Sequence, residues 1–159
     1  MTLTAILPTL RASIPDPIDL RRWPASTRAT VCDIVIGGCS TSSIAAQDGT
    51  PCVFDAAASD AAHARSVVIT RVSAVVAVDD SMPSYALPEL ILDADLSRVG
   101  ADWQVARLIG RASTAKVATF VLAGRSPMVV DLPADVGVGD VLVAPRGPGS
   151  TDDGALSAG

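Results

Sequence analysis

Two short apolar runs rich in β-branched residues, Met128–Leu132 and Val141–Ala144, flank a break made of Pro133, Gly137, Gly139 and Asp140. No other stretch limits the fold as strongly. Pro133 has no N–H to give to a ladder and ends the first run. Gly139 takes a positive φ without steric cost, and Asp140 can accept from nearby backbone N–H groups. The chain therefore turns and re-enters a sheet over Val129–Pro145. Alone, this pattern says only that the domain is β.

The same pattern recurs upstream. Val67–Ile69, Val72–Val78, Glu89–Leu96, Trp103–Gly110 and Val117–Leu122 read as strands, and Asp79–Pro88 reads as a loop. With the two closing runs this makes six or seven strands at regular turn spacing. The expectation is a mainly β chain, a small antiparallel β-barrel or sandwich.

The N-terminal third differs. Residues 1–30 contain Pro8, Pro15, Pro17 and Pro24 and read as an extended arm, which Trp23 should tether to the body. Val31–Ile36 is a strand candidate closed by Gly37 and Gly38. Ser40 or Thr41 then caps a short helix through Gln47 with Ile44, Ala45 and Ala46 inward, and Gly49 and Pro51 stop it. Cys52–Asp55 is a strand, and Ala56–Arg65 is helical by its alanine content. Residues 31–145 thus form one β domain, with 146–159 as a disordered tail that buries nothing.

Charge and composition exclude several functions. A net charge of −5, with eleven Arg and one Lys dispersed along the chain, argues against nucleic acid as a partner. The charge-free run Ile34–Gln47 is too short and too polar to span a bilayer, so no membrane partner is expected. The start, MTLTAILPTLR, lacks a basic n-region; no signal peptide is expected, and a cytoplasmic location is the default. Cys32, Cys39 and Cys52 fit no zinc spacing and are expected to be reduced thiols. His63 has no ligand at helical spacing and reads as a surface helix residue. No metal site follows.

Several stretches, in order, resemble diaminopimelate decarboxylases of the fold-type III pyridoxal-phosphate family. WPASTR and DIVIGGCSTSSIAAQDGTPCVFDAAA are similar to the family's N-terminal run, with Gly37, Gly38, Ala45, Gly49, Thr50, Pro51 and Asp55 at its pattern positions. Val75–Leu90 is similar to its VAVDGGM…NPRPAL segment, although Asp79-Asp80-Ser81-Met82 replaces the Asp-Gly-Gly-Met turn. The stretch from Ala106 to Pro145 is similar to the end of its C-terminal β domain. The likeness covers most of residues 23–145. It implies a barrel like the C-terminal domain of alanine racemase and decarboxylase-type enzymes, with one or two short helices in the N-terminal third.

The resemblance also defines what is missing. Family members hold a (β/α)₈ barrel between the GTP and VAVD segments, with the lysine and Gly-rich loop that bind pyridoxal phosphate. Such a barrel needs ~200 residues or more, whereas Asp55 and Val75 here are about twenty residues apart. Residues 56–66 would be a bridge replacing it, and no cofactor is expected. The family's Cys-Glu pair would fall on Ser113 and Thr114, which lose the thiol and the carboxylate. The tyrosine of its PATGAY motif has no counterpart. Lys116, beside these positions, reads as a solvated lysine rather than a Schiff-base residue. The expectation is a truncated, catalytically silent decarboxylase relative. The alternatives are a binding or assembly module, self-associating or docking on a full-length decarboxylase, and an unrelated structural β-barrel.

Overall fold

A computed structural model describes residues 17–56, 66–78 and 86–147. Most of the helix expected over Ala56–Arg65, with His63, lies outside these residues. So do residues 79–85 of the Asp79–Pro88 loop, residues 1–16 of the arm and residues 148–159 of the tail.

The protein is mainly β. A small sheet comprises β1 (Thr27–Ala29), β2 (Ile34–Ile36) and β3 (Cys39–Ser40). Helix α1 (Thr41–Asp48) and β4 (Cys52–Asp55) follow. The long strand β5 (Ser66–Val76), β6 (Glu89–Leu92), helix α2 (Leu96–Val99) and a 3₁₀ turn (Trp103–Val105) lead to β7 (Arg107–Ile109), β8 (Val117–Leu122), β9 (Met128–Pro133) and β10 (Val141–Arg146). The main sheet runs β7-β10-β5-β6-β8-β9 and curls into a nearly closed barrel, with β4 also paired to β5.

Strand β5 is the spine. Its first half lies between β10, with Val141 opposite Arg71 and Arg146 opposite Ser66, and β4, with Cys52 opposite Ile69 and Asp55 opposite Ser66. A register shift between Val72 and Ala74 then lets its second half pair with β6. A bulge of this kind bends the strand and increases the local twist, which helps the sheet curl.

Alternation along β5 and β10 feeds two cores. Val68, Val72, Leu142 and Ala144 point into the barrel with Leu90, Trp103, Phe120, Leu122, Val130 and Leu132. Val67, Ile69 and Val143 point outward against Trp23, Ile34, Ile36, Ala45 and Ile109. β10 and the first half of β5 are thus covered on both faces, so their apolar runs there are continuous rather than alternating. β9 faces solvent on one side and does alternate: Val129 and Asp131 are exposed, while Val130 and Leu132 are buried.

The mainly β barrel agrees with the sequence reading; particular elements differ. The helix cap is Ser40, whose Oγ accepts from Ser43 N, and Gly49 ends the helix with a positive φ. Ala46 is exposed, not inward; Thr41 and Ala45 form the buried face. Glu89–Leu96 stops being a strand at Leu92, because Asp95 accepts from Ser97 N and starts α2. Trp103–Val105 is a 3₁₀ turn that puts the indole into the barrel. One ladder, β6 with β8, is parallel.

Two corrections concern the flanks. Thr27–Ala29, read as part of an extended arm, pairs with β2. Trp23 is fully buried, and Arg22 Nε donates to Asp102 Oδ2 at 2.7 Å, so residues 17–30 pack on the barrel. Arg146, read as the start of a tail that buries nothing, is the last residue of β10 and is buried. Its Nε donates to Val99 O, which lets a guanidinium lie inside the fold.

Candidate functional site

The strand order sets a geometric problem at one place. β9 ends the sheet on one side and β10 lies next to the other end, so the turn after β9 must cross the seam where the barrel closes. The loop between β7 and β8, which holds Ser113 and Thr114, meets that turn there.

Arg111 fastens the two. Its Nε and Nη2 donate to Asp140 Oδ1 and Oδ2 at 2.8 and 2.7 Å. Nη1 donates to Asp135 Oδ2 at 3.0 Å, and Nη2 also reaches Asp135 O at 2.8 Å. Asp140 Oδ2 accepts in addition from Gly137 N, and Ala134 N donates to Lys116 O. The guanidinium holds the Asp140 carboxyl below the usual carboxylate range. Asp135 is lowered too, first by the Ser113 hydroxyl and then by Arg111. Both carboxylates raise Arg111.

Ser113 and Thr114, the two positions singled out in the sequence, separate here. Ser113 Oγ donates to Asp135 Oδ1 at 2.6 Å and accepts from Ala115 N at 3.1 Å. That hydroxyl is held in a turn, and a carboxylate with a lowered pKa is a weak base for it. Thr114 and Lys116 are exposed. Ser113 is therefore brought into a cluster, Thr114 is not, and Lys116 contributes a backbone carbonyl to the seam.

Below this clasp the seam opens into a cleft of ≈ 120 Å³. Ala106–Leu108, Val117 and Asp131–Pro133 form one side, and Ile18 with the β1–β2 turn forms the other. Asp33 sits on that turn with its carboxylate fully engaged. Ser40 Oγ, Thr41 Oγ1 and Ser42 Oγ donate to it at 2.5, 2.9 and 2.9 Å, and Ile34 N and Ser42 N at 2.8 and 3.1 Å. It ties the small sheet to the start of α1.

No protein-family model matches the chain, and no curated protein does.

Among the described residues, no group of three or more His, Cys, Asp or Glu side chains is placed to hold a metal ion. Cys32, Cys39 and Cys52 are free thiols, the first two exposed. Burial pushes the Cys52 thiol up, with Asp48 and Asp93 adding to the effect. A maleimide or disulfide reagent at neutral pH should label Cys32 and Cys39 first and Cys52 roughly tenfold more slowly. Site-resolved mass spectrometry reads this order; equal rates at all three would contradict the packing of β4.

No feature of the sequence marks Arg111, Asp135 or Asp33 as site residues. Asp140 and Gly137 stand out in it as turn residues, and Ser113 by resemblance. Arg111 carries no local signal, because its partners lie 24 and 29 positions away and only the seam brings them together.

Proposed function

We propose that this chain is a non-catalytic relative of diaminopimelate decarboxylase, a β domain kept without the catalytic barrel and used as a binding or assembly module. The observation that carries the reading is the junction of β4 and β5. Asp55 lies opposite Ser66 in one antiparallel ladder, so the sheet is continuous at the point where the family's barrel would leave and return. The seam supports it as well. Where the family has a reactive thiol and a carboxylate, this chain has Ser113, committed to Asp135, and the exposed Thr114.

Pyridoxal phosphate mixed with the purified protein should give no Schiff-base absorbance and no borohydride-reducible adduct. A stoichiometric reduced adduct on Lys116 would overturn the non-catalytic reading.

One outer face favours the assembly role. Val76, Ile91 and Val129 are 39, 40 and 54 % exposed. The registers Val76–Glu89, Glu89–Val121 and Val121–Val129 put them on one side of adjacent strands. Exposed apolar rows of this kind mark interaction surfaces. Size-exclusion with light scattering, alone and with a full-length decarboxylase, should find a dimer or a mixed complex that Ile91→Lys disrupts. A monomer that ignores the enzyme removes the assembly role.

A further inference from the structure

The exposed apolar face over β5, β6, β8 and β9 has an acid set inside it. The ladders place Val76, Glu89, Val121 and Val129 side by side, one residue from each strand. That row crosses three inter-strand steps, roughly 14 Å. Ala74 and Ile91 make the row on one side of it, and Thr119 with Asp131 the row on the other. Glu89 therefore stands between two valines and is half-buried. These three rows contain no Lys or Arg, and their charges are Glu89 and Asp131. Beyond Ala74 the exposed Arg71 turns elsewhere, donating to Thr50 Oγ1 and Gly139 O.

The pattern selects among partners. A second copy meeting this face across a two-fold axis would bring Glu89 and Asp131 into the interface twice, with no cation in the rows to answer them. A wholly apolar partner would strip water from the Glu89 carboxylate and return nothing. A cation carried among apolar side chains meets both demands. Backbone pairing is closed to that partner at the centre of the face, because β6 and β8 each have a strand on both sides. A helix packs on a sheet through side chains alone. We propose, resting on the assembly role above, that this face docks an amphipathic helix of another protein. The helix covers Val76, Ile91 and Val129 with its apolar stripe and pairs a Lys or Arg with Glu89.

Two synthetic amphipathic helical peptides test this, with the same leucine stripe flanked by lysines in one and by glutamates in the other. Added to the full chain and followed by amide NMR, the lysine peptide should shift Val76, Ile91, Val121 and Val129 and saturate. The glutamate peptide should bind about tenfold more weakly or worse. Glu89→Gln keeps the shape of the side chain and should weaken the lysine peptide about fivefold or more. No saturable shift, shifts confined to other surfaces, equal affinity for the two peptides, or unchanged affinity in Glu89→Gln would overturn the basic-helix partner. Light scattering on the chain alone separates this failure from that of the assembly role. A dimer that Ile91→Lys breaks, with no response to the lysine peptide, keeps the assembly role and removes the helix partner. A monomer that neither peptide shifts removes both.

Discussion

Trp23→Ala should lower stability by about 3–5 kcal/mol, the usual cost of emptying a large buried aromatic site. Trp23 is fully buried among Ile34, Ile36, Val67, Ile69, Ile109 and Val143, where the small sheet meets the barrel. Its Nε1 has no acceptor among the described residues, so the loss is one of packing rather than of a hydrogen bond. Trp103 remains, 1 % exposed inside the barrel, as a fluorescent reporter of the other core. Because β5 and β10 contribute side chains to both cores, denaturant titration should show a single transition shifted to lower concentration. A barrel that melts at its original midpoint while the N-terminal part is lost would mean the two cores are independent.

The second large effect is at the seam. Arg111→Ala should cost about 2–3 kcal/mol, well above the ~0–1 kcal/mol of an ordinary surface ion pair. Arg111 meets both oxygens of Asp140, whose side chain is only 17 % exposed, and removing it leaves that carboxylate with Gly137 N. The pH dependence follows from the lowered pKa values of Asp140 and Asp135. The unfolded chain binds more protons at these groups, so stability rises with pH across their titration. The clasp's contribution is complete above the ordinary carboxylate range near ~pH 4 and is lost as pH falls through the depressed folded values. The gap between wild type and Arg111→Ala in chemical denaturation should therefore be full at neutral pH and narrow below about pH 4. A gap that does not change with pH would show that Arg111 acts through its aliphatic stem alone.

Wherever one element's local chemistry sufficed, the sequence was readable. β-branched runs located β5, β8, β9 and β10, and the Ser40 cap with Gly49 bounded α1 to within a residue. Where pairing partners decided the outcome, it was not. β6 and β8 meet in parallel although the turn spacing suggests an antiparallel barrel, and β9 pairs with β8 rather than with β10 across the intervening turn. β1 is three residues long, too short for a period of two to stand out in a proline-rich segment. The candidate site was less legible still. Ser113 could be singled out by resemblance, but its partner Asp135 and the Arg111 clasp depend on how the barrel closes.

The ladder between β4 and β5 has a topological corollary. Antiparallel partners stand about 5 Å apart at their Cα atoms, and Asp55 and Ser66 are such partners. A polypeptide spliced between them would depart and come back through almost the same doorway. Any guest whose own two ends lie close together fits that requirement, as the ends of most independently folding units do. The scaffold is therefore suited to hosting grafts at this point, with little demand on the guest's size and a strict one on the spacing of its ends.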